Sequence, residues 1–336
     1  MHPATIYVLI ATTALVLAVV ATPVVRRVAW RYGFVDQPSR RKVHSTPIPR
    51  LGGLAIYLGF IVALLVLGTR FRINEAIGIL IGATLVSVIG GIDDRNPVNP
   101  LPKLLVQVAA AGILILSGVK VAVFRQEWIN VMVTVVWVVG ITNALNFLDN
   151  MDGLSAGVAA VAASFFLLIA DLNSQYLVAA LSAALLGACI GFLFHNFNPA
   201  SIFMGDSGSL FIGFVLAALG IKLRFPGNVT MVKWMVPVLV LALPIFDTTL
   251  VTVSRLRRGK NPLTTPGKDH ISHRLARLTG SKREAVLICY LIGGFCGMVG
   301  IFVTTASVPM GYAIGVGMAA LGVAGLWWFE ERVGHD

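Results

Sequence analysis

The chain alternates long apolar runs with short polar segments. Runs of about 17–22 residues, each long enough to cross a bilayer, fall near 4–23, 51–69, 76–92, 104–119, 129–148, 154–170, 176–194, 208–223, 231–253, 284–305 and 309–328. This pattern predicts an all-α polytopic integral membrane protein, a bundle of about eleven transmembrane helices, with residues 1–336 forming one transmembrane domain. Glycines and prolines within the runs are tolerable because neighbouring helices re-satisfy the backbone. No soluble domain, low-complexity tract or internal repeat interrupts the pattern.

Polar residues orient the bundle. The first run has no basic residue before it and is followed by Arg26, Arg27 and Arg31, which argues against a cleaved signal peptide and for an amino terminus outside. Alternation then puts the carboxy terminus in the cytoplasm and 19 of the 26 Lys and Arg residues on the inner side. Of the 15 acids, only Glu75, Glu127 and Asp171 fall outside. A transporter or flippase, the first competing reading, places essential carboxylates near the midplane, often in corresponding places in two halves. Here they collect at helix ends on one face, which suggests a site open to a cytosolic substrate.

Composition agrees. The chain is 57% hydrophobic and 12% charged, with mean hydropathy +0.86, against about 25% charged in soluble domains. The formal net charge of +11 fits positive-inside loops and anionic phosphate partners. It does not signal nucleic acid, since no zinc spacing or aromatic-interleaved basic patch accompanies it. Cys189, Cys289 and Cys296 lie in apolar runs and read as core or lipid-facing thiols. Any span could offer a dimer face, so a homodimer is compatible with the sequence.

The segment Phe203-Met204-Gly205-Asp206-Ser207-Gly208-Ser209 carries the strongest chemical suggestion. Two glycines permit close backbone approach, two serines offer hydroxyls, and the following helix offers N–H groups to an anion. Asp206 requires a hard cation such as Mg²⁺ if phosphate is to bind beside it. The ordinary alternative is an N-cap made by Asp206 or Ser207.

Other inner-side segments point the same way. Arg41 to Gly53 holds Lys42, His44 and a proline-rich non-helical path, and reads equally as a lipid-gripping basic loop. Asp93 and Asp94 end the third run, with Lys103 and Gln107 at the start of the fourth. On a helix the two acids diverge by about 100° and need not share a role. Asn143, Asn146 and Asp149 recur at i, i+3 and i+6, followed by Asp152. An interhelical hydrogen-bond seam explains the asparagines but not easily both aspartates. His195 reads as structural, and Asn196 and Asn198 either orient a ligand or turn the chain. Pro244 kinks the ninth run, and Asp247 suits capping or an interhelical contact as readily as a ligand. In the basic loop after it, His270, His273 and Arg274 suit contact with phosphate or sugar better than with a metal.

Taken together, these segments resemble the polyprenyl-phosphate N-acetylhexosamine-1-phosphate transferases, which include MraY and the undecaprenyl-phosphate GlcNAc-1-phosphate transferases. The likeness rests on the Arg-Lys-Val-His to Pro-Ile-Pro-Arg-Leu-Gly-Gly loop, Ile92-Asp93-Asp94-Arg95, Asn143 to Gly153, Phe203 to Ser209, and His270 to Leu275. Asn150 and Ser272 depart from the family's usual pattern. Eleven spans with an outside amino terminus look more like the GlcNAc branch than MraY, the alternative within the family.

The resemblance implies transfer of an N-acetylhexosamine 1-phosphate, GlcNAc-1-phosphate first, from a UDP-sugar to polyprenyl (undecaprenyl) phosphate with release of UMP. It implies a multi-pass prokaryotic plasma-membrane enzyme of cell-envelope polysaccharide synthesis, with Mg²⁺ as cofactor and Mn²⁺ as the alternative. By the same resemblance Asp206 is the principal metal ligand, with Asp149 and Asp152 completing the metal and nucleotide neighbourhood. Asp93 and Asp94 lie near the lipid phosphate, and His270, His273 and Arg274 contact the transferred sugar phosphate. Lys42, His44, Lys103, Asn143, Asn146 and Asn196 are expected in substrate binding.

Overall fold

A computed structural model describes residues 2–37, 46–67, 73–225, 230–262, 265 and 267–333. The protein is all-α and multi-pass. Among the described residues, seven helices are long and apolar enough to span, or eight if a bent pair counts as one, and two shorter apolar helices accompany them. The ninth apolar run falls on the bent pair. Met1–Leu223 and Arg224–Asp336 form two compact units.

The first unit contains α1 (Pro3–Tyr32), α2 (Gly53–Leu67), α3 (Ile73–Arg95), α4 (Pro100–Leu116), α5 (Glu127–Leu148), α6 (Leu154–Leu172), α7 (Tyr176–Asn196) and α8 (Asp206–Lys222). A two-residue pairing of β1 (Val35–Asp36) with β2 (Ile48–Pro49) closes the segment before α2. The helix α8 is the unit's axis, with every residue from Ser207 to Ile221 buried. A helix that is apolar all round has to be surrounded, and α2, α3, α5 and α6 pack on it. The start of α8 is thereby held against the ends of α3 and α5, where the acids lie.

The approach is closest where α2 and α8 begin. Gly52 and Gly53 donate backbone N–H groups to Phe203 O at 2.9 Å and Met204 O at 2.8 Å, and Phe203 N–H returns to Pro49 O at 2.8 Å. A Cβ on Gly53 would run into the backbone of Gly208. The proline-rich loop and the Gly205-Asp206 segment, about 150 residues apart in sequence, are thus one backbone-paired structure.

The second unit holds α9 (Thr230–Val240), α10 (Ala242–Arg257), α11 (Ile271–Thr279), α12 (Lys282–Thr305) and α13 (Val308–Arg332). Between α9 and α10 the direction changes by 76°. Pro244 has no N–H for the carbonyl of Val240, and its ring crowds that carbonyl, so the single predicted ninth run becomes two helices meeting at Leu241. The three cysteines are free and buried.

Candidate active site

The first unit gathers four of the predicted acids with their partners. Asp93 and Asp94 are neighbours with different tasks, as helical divergence requires. Asp93 accepts the N–H of Val98 at 2.7 Å and pairs with Lys103 Nζ at 3.1 Å. Asp94, nearly buried, turns to α8 and accepts the N–H groups of Asp206 at 2.8 Å and Ser207 at 3.0 Å, one on each oxygen.

This arrangement corrects two readings of the Gly205–Ser209 segment. The cap of α8 comes from Asp94 of α3, not from Asp206 or Ser207, because a carboxylate at a helix start satisfies orphan N–H groups and the helix dipole together. The next two N–H groups, of Gly208 and Ser209, go to Gly205 O. The helix start therefore offers none of these N–H groups to an incoming phosphate. Gly205 is required in its own right: its φ is +75°, and a Cβ there would lie 2.5 Å from Asp94 Oδ2.

With the N–H groups engaged, Asp206 holds out its side chain among three elements. Its Oδ2 is 3.1 Å from Lys103 Nζ, and its Oδ1 accepts Asn146 Nδ2 at 3.1 Å. Asn146 also donates to Ser209 Oγ at 2.9 Å. Lys103 thus stands equidistant from Asp93 and Asp206. Asp149 follows the last turn of α5. Burial first, then the carboxylates of Asp206 and Asp94, push its carboxyl up to about 8. Arg50, which pairs with Asp36 at 3.2 Å, pulls in the opposite direction.

Some predicted ligands serve the framework instead. Asp152 Oδ2 accepts both Asn198 Nδ2 and Ala200 N–H at 3.0 Å. Asn196 is buried, with its carbonyl on Gly153 N–H and its amide on Ile202 O, both at 3.0 Å. It braces the turns before α6 and α8. Asn143 exchanges amide contacts with Gln107 and donates to Val139 O at 2.8 Å, the seam alternative for that residue. His195 Nε2 meets Val19 O at 3.1 Å, a structural contact as expected. Lys42 and His44 lie outside the described residues.

The second unit carries the histidine segment. His270 Nδ1 is 2.8 Å from Asp247 Oδ2, and its ring centroid is 6.3 Å from that of His273. Burial and then the neighbouring His270 push the His273 ring down to about 4. Arg274 is fully buried. Its guanidinium donates to Asp269 O, Phe329 O, Ser254 Oγ and Glu330 Oε1 at 2.6–3.0 Å. These donors face a carbonyl at Asp269, a hydroxyl of α10, and a carbonyl and a carboxylate of α13. Asp247 is the residue that sequence reasoning left undecided, and the only available signal was an acid inside an apolar run.

A divalent cation suits the chemistry of the first cluster. Asp93, Asp94, Asp149 and Asp206 supply hard oxygen donors, and Lys103 and Arg50 are the cations acting on them. Carboxylates gathered in this way suit a further hard cation. Among the described residues no three His, Cys, Asp or Glu side chains converge as a metal-binding group. The donor set fits Mg²⁺ in kind.

The glycosyl transferase family 4 model matches residues 76–224, a stretch that holds this acidic cluster. The chain is similar to the probable undecaprenyl-phosphate N-acetylglucosaminyl 1-phosphate transferase of Bacillus subtilis (strain 168), 39% identical over 289 residues, covering 83% of this chain and 80% of the relative. It is similar to the decaprenyl-phosphate N-acetylglucosaminephosphotransferase of Mycolicibacterium smegmatis, 35% identical over 319 residues, covering 84% and 78%. The phospho-N-acetylmuramoyl-pentapeptide-transferase of Bacillus cytotoxicus is 30% identical over 225 residues, with coverage of 60% and 69%. The extent of the first two matches shows that the chain belongs to the polyprenyl-phosphate N-acetylhexosamine-1-phosphate transferases of glycosyl transferase family 4, on the GlcNAc-1-phosphate branch.

Proposed function

We propose that the protein transfers a sugar 1-phosphate, GlcNAc 1-phosphate first among the candidates, from a UDP-sugar to undecaprenyl phosphate, releasing UMP. The observation that carries this reading is the joining of Asp93, Asp94, Lys103, Asn146 and Asp206 in one network at the start of α8. The GlcNAc-transferring relatives cover more of the chain than the pentapeptide transferase does.

Mg²⁺ would be held by Asp206, with Asp149 beside it, and when bound would neutralise pyrophosphate charge. Asp152 reaches that neighbourhood only through the turn that it stabilises. Asn146 orients the Asp206 carboxylate, and Asp94 fixes the backbone from which Asp206 projects. Lys103 supplies positive charge next to Asp93 and suits a phosphate oxygen of the acceptor or donor. A phosphate monoester has its second pKa near 6, so the acceptor is largely a dianion at neutral pH and needs no obligatory base. In-line attack of that phosphate oxygen on the sugar-bearing phosphorus forms the new P–O bond as the bond to UMP breaks. Asp93 is placed to hold a proton from the minor monoanion. In the second unit, His270 and His273 are assigned to the transferred sugar phosphate.

The same reading includes eleven spans, the amino terminus outside, the carboxy terminus in the cytoplasm, and the acidic cluster at the cytoplasmic face of a prokaryotic plasma membrane. Its support is the bias of Lys and Arg to alternate loops and the cytosolic origin of nucleotide sugars. Incubation with a panel of UDP-sugars, undecaprenyl phosphate and Mg²⁺ tests the assignment. UMP release that is greatest with UDP-GlcNAc and is abolished by EDTA is expected; release without lipid acceptor contradicts it.

A further inference from the structure

Asp247 sits inside α10, fully buried, and both of its oxygens are used by the start of α11. Oδ2 lies 2.8 Å from His270 Nδ1, and Oδ1 accepts the N–H of Ile271 at 2.7 Å. A buried carboxylate needs donors on its oxygens. The proton between Asp247 and His270 therefore belongs on Nδ1. In neutral His270 that makes Nε2 the lone-pair nitrogen; in charged His270 it makes Nε2 a donor.

We propose that Asp247 is a positioning residue for the transferase reaction: it orients His270 and fixes its tautomer, so that Nε2 is the nitrogen that works on the sugar phosphate. The role assigned to Nε2 rests on the function proposed above; the pairing itself is a property of the second unit. The observation that separates this from mere packing is redundancy in the anchoring of the segment. Asp269 is already clamped by Arg255 Nε and Nη2, each at 2.9 Å, and by Arg258 Nη2 at 2.7 Å. Its carbonyl is also held by Arg274 at 2.9 Å. The backbone at 269–270 is thus fixed without Asp247, whereas the His270 Nδ1 atom is held, among the described residues, by Asp247.

The remaining charges near the ring are accounted for. His273 and Arg274 lie on α11, and Arg274 is matched by Glu330 of α13 at 2.6 Å. Asp269 is matched by Arg255 and Arg258 of α10. Lys268, before the ring, and Arg277, after it, bring positive charge towards His273. Asp247 is the anion in hydrogen-bonding contact with His270. Replacing it by Asn keeps a carbonyl for Ile271 N–H but presents an NH₂ to Nδ1, which moves the proton to Nε2.

The test uses the full-length protein in detergent micelles, labelled with ¹⁵N-histidine, with His270→Gln assigning the His270 ring. The wild type is expected to show the Nδ1–H tautomer. Asp247→Asn is expected to show the Nε2–H tautomer. Its kcat should fall on the order of 100-fold, with KM for the UDP-sugar changed by less than about threefold. Asp247→Glu should restore the tautomer and part of kcat. An Nε2–H tautomer in the wild type overturns the proposal without any variant, which covers an Asp247→Asn protein that fails to fold. A folded Asp247→Asn protein with the wild-type tautomer and unchanged kcat also overturns it. Absence of UMP release from wild type with the Nδ1–H tautomer intact instead overturns the transferase reading beneath it.

Discussion

Asp94, at the end of α3, caps the helix that Asp206 begins: its two oxygens accept the Asp206 and Ser207 N–H groups at 2.8 and 3.0 Å. One acid of the Asp93-Asp94 pair is therefore architectural, and it acts directly on the backbone of the proposed principal metal ligand. Asp94→Asn retains one acceptor oxygen and leaves one N–H of α8 without a partner. The expected cost is about 1–3 kcal/mol, together with a loss of UMP release. Thermal unfolding in detergent alongside the UMP assay checks both. A variant with wild-type melting and activity contradicts the capping role.

Asp149 gives a pH dependence with a definite sign. Its carboxyl is displaced upward from 3.8 to about 8 by burial and by Asp206 and Asp94. Between these values the unfolded chain is ionised while the folded protein keeps the proton, so the slope of stability with pH is negative. The favourable contribution is complete below about 4 and is lost as pH rises through about 8. In EDTA, Asp149→Asn should flatten the fall in melting temperature across this range and raise it at pH 8.5, while lowering activity when Mg²⁺ is supplied. Melting curves from pH 5 to pH 9 that are parallel in the two proteins would count against this.

Arg274 and Glu330 form a fully buried pair at 2.6 Å. Arg274→Met removes one donor group from the Glu330 carboxylate and from three other acceptors, at an expected cost of about 3–5 kcal/mol. Arg274→Met combined with Glu330→Leu should recover a large part of this. Melting temperatures of the two variants check the coupling; equal losses in both would contradict it.

Backbone proximity predicts a contrast between two glycines. Gly53→Ala drives a methyl into the Gly208 backbone, whereas a Cβ on Gly140 meets nothing within 4 Å. Gly140→Ala, in the interior of α5, should be neutral or stabilising by up to about 1 kcal/mol. Gly53→Ala should reduce both folded yield and UMP release. The two variants, expressed and assayed side by side, provide the comparison.

Much of this was legible in the sequence because the signals are local. Apolar run length located the helices, and acids at the ends of runs picked out Asp93, Asp94, Asp149 and Asp206, which lie together around the start of α8. The i, i+3 spacing brought Asn146 to Asp206, yet the same spacing did not separate it from Asn143, whose partner Gln107 is on another helix. The capping of α8 was missed because the cap comes from Asp94, 112 positions away. Arg274 resembled a phosphate ligand because its acceptors, Phe329 O and Glu330, are more than 50 positions on. Pro244 signalled a kink but not its size, which depends on what the two halves pack against.

The most direct test of the account is release of UMP by the purified protein, given UDP-GlcNAc, undecaprenyl phosphate and Mg²⁺, compared with Asp206→Asn under the same conditions. The account predicts lipid-dependent UMP from the wild type and a fall on the order of 100-fold or more in the variant, with the variant still folded. Undiminished UMP release by Asp206→Asn would contradict it.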